Sequence, residues 1–464
     1  MFKIAGRSAE SLELERYYKS NKAKLVVVYG RRRVGKTYLI NRFFDNNFFF
    51  HITGKHKEKK KAQIKRFVNE LTDKNNKCLE WDDAFDLLRK KIEKSFDSKK
   101  KVIFIDEISW FDTKKSGFLS AFEYFWNHFC STRDDVLLIV CGSSSSWITK
   151  SLFKNKGGLY NRINGKIYVQ PFTLSQTKEY FEERKVFLSN RQILDLYMVF
   201  GGIPYYLDYF NYSFSVVQNI DRILFSQQAV LKNEYDDVFN SLFDKNDKYK
   251  NVVNVLANKV SGLTRKEIVL LTNLQDNGQL TDILENLELS GFIRKFSNYP
   301  QKKKEAIYQL IDNFSLFYNK VIKKAEANDT EYWAHSIISG KYYSWRGYAF
   351  ENVCFQHIHS IKKSLGISGF LTTYYAWKNA SSQIDLVIER VDKAINLCEI
   401  KYTDNEYSIT KNDYLNIQNK ITQLSEESKK NKGIIFTLIS SNGLKENQYS
   451  NIVQAKIELE DLFL

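Results

Sequence analysis

Gly30, Gly35, Lys36 and Thr37 stand in the spacing G-x-x-x-x-G-K-[ST], and each residue type has a task in holding phosphate. Glycines let the chain curl until successive backbone N–H groups converge on one anion. Arg31, Arg32, Arg33 and Val34 complete that loop. Lys36 brings a point charge to the β- and γ-phosphates of a nucleoside triphosphate. The Thr37 hydroxyl is a hard oxygen donor suited to Mg²⁺. Such a loop needs a strand before it and a helix after it. Leu25-Val26-Val27-Val28 reads as a buried parallel strand, and a helix from about Thr37 to Phe44 turns its positive end toward the same anion.

A second apolar run, Val102-Ile103-Phe104-Ile105, ends in Asp106-Glu107. Asp106 is the expected Mg²⁺ holder, and Glu107 the group that orients or deprotonates an attacking water. A third run, Val136-Leu137-Leu138-Ile139-Val140, leads to Cys141-Gly142-Ser143. Ser143 is the candidate for touching the γ-phosphate or that water; a plain Ser/Gly turn is the alternative. Strand, loop and helix in repetition give a parallel sheet covered by helices, with ligand at the carboxyl ends of its strands. His51, on the aromatic run Phe48-Phe49-Phe50-His51-Ile52, reads as structural. The basic run at residues 55–66 reads as a solvated helical face, with phosphate contact as the alternative.

A second set of polar residues lies near the other end of the chain. Glu351 falls on a helix expected to run to about Lys363, Asp385 on a strand at residues 383–389, and Glu399-Ile400-Lys401 on a strand at 395–401. Alternation puts Glu399 and Lys401 on one face, where the Asp385 carboxylate can meet them. Buried charge needs compensation, and a divalent metal provides it. Asp385 and Glu399 are the expected ligands of Mg²⁺ or Mn²⁺, with the Ile400 carbonyl as a third donor. Lys401 would orient or activate a water, and Glu351 could reach the same place. The polar stretch 404–413 reads as a mobile loop over this site.

Between these ends, residues 172–243 are helical by pattern, interrupted by Pro204. Residues 247–312 show helix, capping box (Thr264, Glu267), helix, and two paired strands around the basic tip Lys302-Lys303-Lys304. This is the pattern of a winged helix. Its third helix, around Leu280–Ser290, is acidic, which argues against sequence reading of DNA, and a domain connector is the alternative.

The net charge of +16 favours a polyanionic partner, or else reflects a Lys-rich solvated surface. The five cysteines, Cys78, Cys130, Cys141, Cys354 and Cys398, lack metal-pair spacing and read as reduced thiols. No apolar run approaches the roughly 18 residues of a membrane span, and the first residues lack a signal-peptide core, so a cytoplasmic protein is expected.

Gly6-Arg7 with Glu10, the loop at 30–37, Ile105-Asp106-Glu107 and Gly142-Ser143 resemble the AAA+-related prokaryotic and archaeal ATPases close to the STAND class. Leu159-Tyr160-Asn161-Arg162 before Val169-Gln170-Pro171-Phe172 is similar to that family's Arg element. Gly201-Gly202-Ile203-Pro204 is similar to its lid motif. The resemblance implies ATP as ligand, Arg162 as an arginine finger that in trans would need a homo-oligomer, and Pro204 near the adenine. It departs at Ser143, where many members carry Asn. Glu351, Asp385 and Glu399-Ile400-Lys401 resemble the PD-(D/E)xK nuclease superfamily, with Ile384 in place of the Pro of its name. Joined to such an ATPase, they resemble proteins carrying the DUF234 domain. That implies a Mg²⁺-dependent deoxyribonuclease, or a switch whose last domain binds nucleic acid or protein without cutting.

The expected fold class is therefore α/β and multidomain. A P-loop core with a parallel sheet spans 1–170, a helical lid 171–246, a winged helix 247–312, a helical connector 313–340, and an α/β PD-(D/E)xK-like domain 341–464. ATP, Mg²⁺ and DNA are the expected ligands and partner.

Overall fold

The apolar runs of the first third become strands of one sheet because each is buried on both faces, which β-branched residues tolerate best. The computed structural model describes residues 4–72, 80–97, 99–154, 157–243, 246–259, 261–297, 306–326, 329–337, 342–378, 383–428 and 431–464. Cys78 and the tip Lys302-Lys303-Lys304 lie outside them. The chain forms two compact units, Met1–Pro171 and Phe172–Leu464.

In the first unit the strands are β1 (Lys24–Tyr29), β2 (Phe50–Thr53), β3 (Lys101–Asp106), β4 (Val136–Gly142) and β5 (Gly165–Tyr168). Their order is β2-β3-β4-β1-β5, all parallel. β4 therefore separates β1 from β3, so the loops that follow these three strands are neighbours along one edge. Helices Lys60–Asn69, Trp81–Glu93 and Phe118–His128 pack an aromatic layer on the sheet, with Trp81, Phe67, Phe118 and Phe122 almost wholly buried. His51 stacks flat on Phe104 at 4.8 Å between ring centroids, which makes it a packing residue. In the basic run, Arg66 pairs with Glu58 and Lys60 with Glu80, as on a solvated helical face.

The second unit opens with helices Leu174–Glu183, Asn190–Phe200, Pro204–Leu207, Val216–Leu224 and Glu234–Leu242. Gly202 sits at φ +65°, and a Cβ there would stand 2.2 Å from the Phe172 carbonyl oxygen. The Gly-Gly-x-Pro stretch thus owes its glycines to backbone packing within this unit. Helices Asn246–Asn258, Arg265–Thr272 and Gly278–Leu289 follow, with a three-stranded sheet of order β6-β8-β7: β6 (Leu263–Thr264), β7 (Ile293–Ser297) and β8 (Ala306–Leu310). Thr264 and Glu267 form the expected capping box.

The last sheet has the order β15-β13-β11-β10-β9. Its strands are β9 (Thr372–Lys378), β10 (Gln383–Arg390), β11 (Ala394–Lys401), β13 (Gly433–Ser440) and β15 (Ala455–Ile457). β10 runs antiparallel to both β9 and β11, while β13 is parallel to β11 and to β15. The expected helix to Lys363 is two helices, Tyr343–Gln356 and Ile358–Ser364, parted at His357. The stretch 404–413 is tied down rather than a free loop. β12 (Tyr407–Ser408) pairs with β14 (Leu444–Lys445), and Asp404 takes an ion pair from Arg191 at 3.0 Å. The helical region 172–243 is bound into the same unit: Leu174 N–H donates to His357 Nε2 at 2.9 Å, and Tyr402 donates to Asp195 at 3.1 Å.

Candidate functional site

The loop between β1 and helix Lys36–Phe43 has the backbone its sequence requires. Gly30 sits at φ +146°, where a Cβ would lie 2.2 Å from the Val169 carbonyl oxygen, and Arg33 and Gly35 also have positive φ. Arg31, Val34 and Lys36 are buried, and Arg32, Arg33 and Thr37 half-buried. Lys36 Nζ donates to the carbonyls of Gly30 and Arg31 at 3.0 and 2.8 Å, which holds the ammonium over the loop. Arg7 braces the loop from behind: its guanidinium donates to Val34 O at 2.8 Å and pairs with Glu10 at 3.0 Å. Burial lowers the Arg7 pKa, against the pull of Glu10.

At the end of β3, Asp106 accepts a hydrogen bond from the Thr37 hydroxyl at 2.9 Å. Burial first, and the adjoining Glu107 second, raise the Asp106 carboxyl above its ordinary value. Glu107 occupies the left-handed region at φ 48°, an uncommon conformation for a non-glycine residue and one that recurs at functional sites. Ser143, at the end of β4, donates its N–H to Glu107 Oε2 at 3.1 Å and its hydroxyl to Oε1. Thr37 and Asp106 are neighbouring hard oxygen donors, and that donor chemistry fits Mg²⁺.

One expected residue, Arg162, is not brought to this cluster. Arg162 is exposed and lies just before β5, whose Gly165 is level with Val26 at the start of β1. The phosphate loop leaves the other end of β1. Arg162 therefore cannot reach the loop of its own chain, since about four strand residues at roughly 3.3 Å each intervene. Pro204 opens a short helix of the second unit.

In the second unit, the pairing Leu386↔Cys398 continues one step to set Asp385 opposite Glu399. A register shift between β10 and β9 at Ile384/Val387 bends the strand beside Asp385, as bulges do when they re-aim a side chain. Asp385 Oδ2 accepts the Ile400 N–H at 2.9 Å. Glu399 is held by two ammonium groups, Lys401 on Oε1 at 2.9 Å and Lys420 on Oε2 at 2.8 Å. Burial opposes the Lys401 charge, but Glu399 outweighs it, and the Lys401 pKa is raised. Burial, then Asp385 and Glu399, raise the Glu351 carboxyl; burial and Glu399 raise that of Asp385.

The four expected residues thus share one neighbourhood, with Glu399 buried and Glu351, Asp385 and Lys401 half-buried, but not as a carboxylate trio. Among the described residues, no group of three or more His, Cys, Asp or Glu is arranged to hold a metal. A donor set of Asp385, Glu399 and the Ile400 carbonyl remains, with Glu399 already neutralised by lysine. Lys420 went unforeseen because its helix, Lys411–Glu427, touches β11 through tertiary packing alone. Arg294 was unforeseen for the same reason: its strand β7 belongs to another sheet, yet it lines one cleft with Glu351 and Asp385. No described helix is long and apolar enough to cross a membrane.

Residues 5–210 match a family described as an ATPase domain predominantly from Archaea, and residues 314–416 match DUF234, archaeal and bacterial proteins of unknown function. An uncharacterised protein of Methanocaldococcus jannaschii is 25% identical over 420 residues, covering 89% of this chain and 91% of that one. An uncharacterised ATP-binding protein of the same organism is 60% identical over 38 residues, 8% of this chain and 64% of its own length. Among solved structures, the Walker-type ATPase of Pyrococcus abyssi aligns over 68% of this chain and 96% of its own with a TM-score of 0.49 and 18% identity. The Aeropyrum pernix ORC2 protein aligns over 69% and 94% with a TM-score of 0.43 and 10% identity.

Proposed function

We infer that this chain, which joins an ATPase domain of a predominantly archaeal family to a DUF234 domain, binds ATP at residues 30–37 and hydrolyses it. The observation that carries this reading is the Thr37–Asp106 hydrogen bond at 2.9 Å beside a Glu107 gripped by Ser143. It joins the phosphate-binding loop to an acid pair across β4. The loop N–H groups and Lys36 hold the phosphates, and Thr37 and Asp106 hold Mg²⁺. Mg²⁺, when bound, supplies charge neutralisation at the β- and γ-phosphate oxygens. Glu107 takes the proton of the attacking water, and Ser143 sets its orientation. Arg162 acts in trans on a neighbouring copy, and Pro204 borders the adenine. The four described cysteines are buried free thiols, consistent with a cytoplasmic protein. Nucleotide retention and phosphate release by wild type, Lys36→Ala and Glu107→Gln test this: Lys36→Ala should lose ATP, and Glu107→Gln should keep ATP but not hydrolyse it.

The DUF234 part is the second element of the proposal. Asp385, Glu399 and Lys401 form a phosphodiester site, in which Asp385 and Glu399 hold Mg²⁺ or Mn²⁺ and Lys401 orients a water. Nucleotide state in the first unit governs access to it. Helices Asn246–Asn258, Arg265–Thr272 and Gly278–Leu289 with β6, β7 and β8 serve as a winged helix that meets DNA without sequence reading, given Asp282, Glu285 and Glu288 on its third helix. A second reading, binding without cleavage, is favoured by one observation: both Glu399 oxygens are taken by Lys401 and Lys420. Plasmid and linear DNA with Mg²⁺ or Mn²⁺, with and without ATP, separate the two. Cutting that Asp385→Ala abolishes supports cleavage; retained binding without cutting supports the second reading.

A further inference from the structure

Two clefts flank the acidic pair. One, of about 230 Å³, is lined by Arg294, Gln309, Phe355, Glu351 and Asp385; the other, of about 430 Å³, by Glu399, Lys401, Lys420 and Tyr407. Gln383 lines both, so Asp385 and Glu399 stand where the two meet. The second cleft has its cations, Lys401 and Lys420, already spent on Glu399. The first is different. Arg294 comes from β7 of the hairpin, its guanidinium lies 3.3 Å from the Phe355 ring centroid, and both Nε and Nη2 donate to Gln309 Oε1. Gln309 is itself buried on β8. Stacking and the paired bonds fix the plane of the fork. Among the described residues no carboxylate pairs with it within ion-pair distance, and Nη1 makes no hydrogen bond.

A guanidinium held flat and spared a carboxylate partner, facing a cleft that also holds Glu351 and Asp385, suits an anion that presents two oxygens side by side. Burial lowers its pKa to about 9, a cost that an incoming anion would relieve. The carboxylates nearby rule out a free dicarboxylate as the preferred guest, since it would meet like charge at several points. A phosphodiester meets the cation through one phosphate and continues past the acids as a chain.

We propose that Arg294 binds a backbone phosphate of nucleic acid, so that β7 and β8 complete the DUF234 site. This rests on the reading of the acidic pair as a phosphodiester site, whether or not it cuts.

The test is binding of labelled 20-nucleotide DNA and RNA, single- and double-stranded, to the full-length chain in Ca²⁺ and in EDTA, each across a salt series. Variants are Arg294→Gln, Arg294→Lys and Lys420→Gln, each checked by thermal melt. Arg294→Gln should weaken binding about tenfold or more, and lower the slope of log affinity against log salt by about one contact's worth, roughly 0.7–0.9. Arg294→Lys should recover the salt slope but only part of the affinity, because the fork is lost. Should Arg294→Gln not fold, Arg294→Lys alone should bind severalfold more weakly than wild type. Unchanged affinity in the Arg294 variants, with wild type still binding, overturns the role of Arg294 and leaves the phosphodiester reading in place. If wild type binds none of the four probes, the phosphodiester reading fails and the Arg294 role fails with it. Preference among the probes assigns DNA or RNA.

Discussion

Ser143 grips both carboxylate oxygens of Glu107, its N–H on Oε2 at 3.1 Å and its hydroxyl on Oε1. The contact exists because β4 lies between β1 and β3, which places the end of β4 beside the acid pair. Ser143 is thereby a residue that positions another group. Ser143→Ala keeps the backbone donor and loses the hydroxyl. It should lower kcat for ATP hydrolysis by about tenfold at unchanged KM, whereas Glu107→Gln should cost roughly 10²-fold or more. Steady-state phosphate release reads both; equal kcat in Ser143→Ala and wild type would remove Ser143 from the mechanism.

Gly30→Ala tests the loop's backbone. A Cβ would stand 2.2 Å from Val169 O at a φ that L-residues rarely adopt, so the loop or β5 must move. The expected cost is about 2–4 kcal/mol, with loss of nucleotide binding. Gly278→Ala, where a Cβ meets nothing within 4 Å, is the control and should melt near wild type. Calorimetry with and without ATP reads the difference.

Arg7→Met tests the brace behind the loop. It removes a charged hydrogen bond to Val34 O and leaves Glu10 without its partner. A loss of about 1.5–3 kcal/mol is expected, together with weaker ATP binding, because Val34 lies inside the phosphate loop. Arg7→Lys should recover little, since one ammonium does not reproduce the fork. A nucleotide titration that gives equal affinity for all three would refute the brace.

His357 supplies a pH dependence. It is buried with Nε2 accepting the Leu174 N–H and Nδ1 donating to Val353 O, and burial lowers its pKa to about 4. The unfolded imidazole titrates near roughly 6.5, so between these values the unfolded state binds the extra proton. Stability from this group is complete above about 6.5 and is lost as pH falls toward 4. The full span is worth about 3 kcal/mol. Urea unfolding between pH 7.5 and 4.5 should show a steeper decline in wild type than in His357→Gln. Parallel declines would discount His357.

Lys420→Ala addresses the acidic pair. Releasing Glu399 Oε2 from its ammonium should strengthen Mn²⁺ binding by about tenfold, the scale of one charge-assisted hydrogen bond. Isothermal titration with Mn²⁺ decides it, with Asp385→Asn as the variant expected to abolish the heat. An Mn²⁺ affinity that Lys420→Ala leaves untouched would count against a metal on Glu399.

Several features are legible in the sequence because their physics is local. The phosphate loop acts through its own backbone, so Gly30, Gly35, Lys36 and Thr37 announce it by spacing. Burial on both faces made β1, β3 and β4 readable as continuous apolar runs. Alternation along β11 placed Glu399 and Lys401 on one side, where they meet at 2.9 Å. Helix ends differ from the sequence pattern by a few residues, and the stretch 404–413 is anchored where its polarity suggests a mobile loop, because a polar sequence does not show that Asp404 will find Arg191.

Tertiary structure alone decided the partners of residues distant in sequence. Strand order put Ser143 on Glu107, and the start of β5 put Arg162 at the far end of the sheet from the loop. Packing of helix Lys411–Glu427 brought Lys420 to Glu399, and packing of the hairpin brought Arg294 to the cleft of Glu351 and Asp385. Side-chain spacing reports on faces within one element, whereas the approach of two elements depends on their summed surfaces. The identity of the acids was therefore written in the chain, and the identity of the cations that answer them was settled by folding.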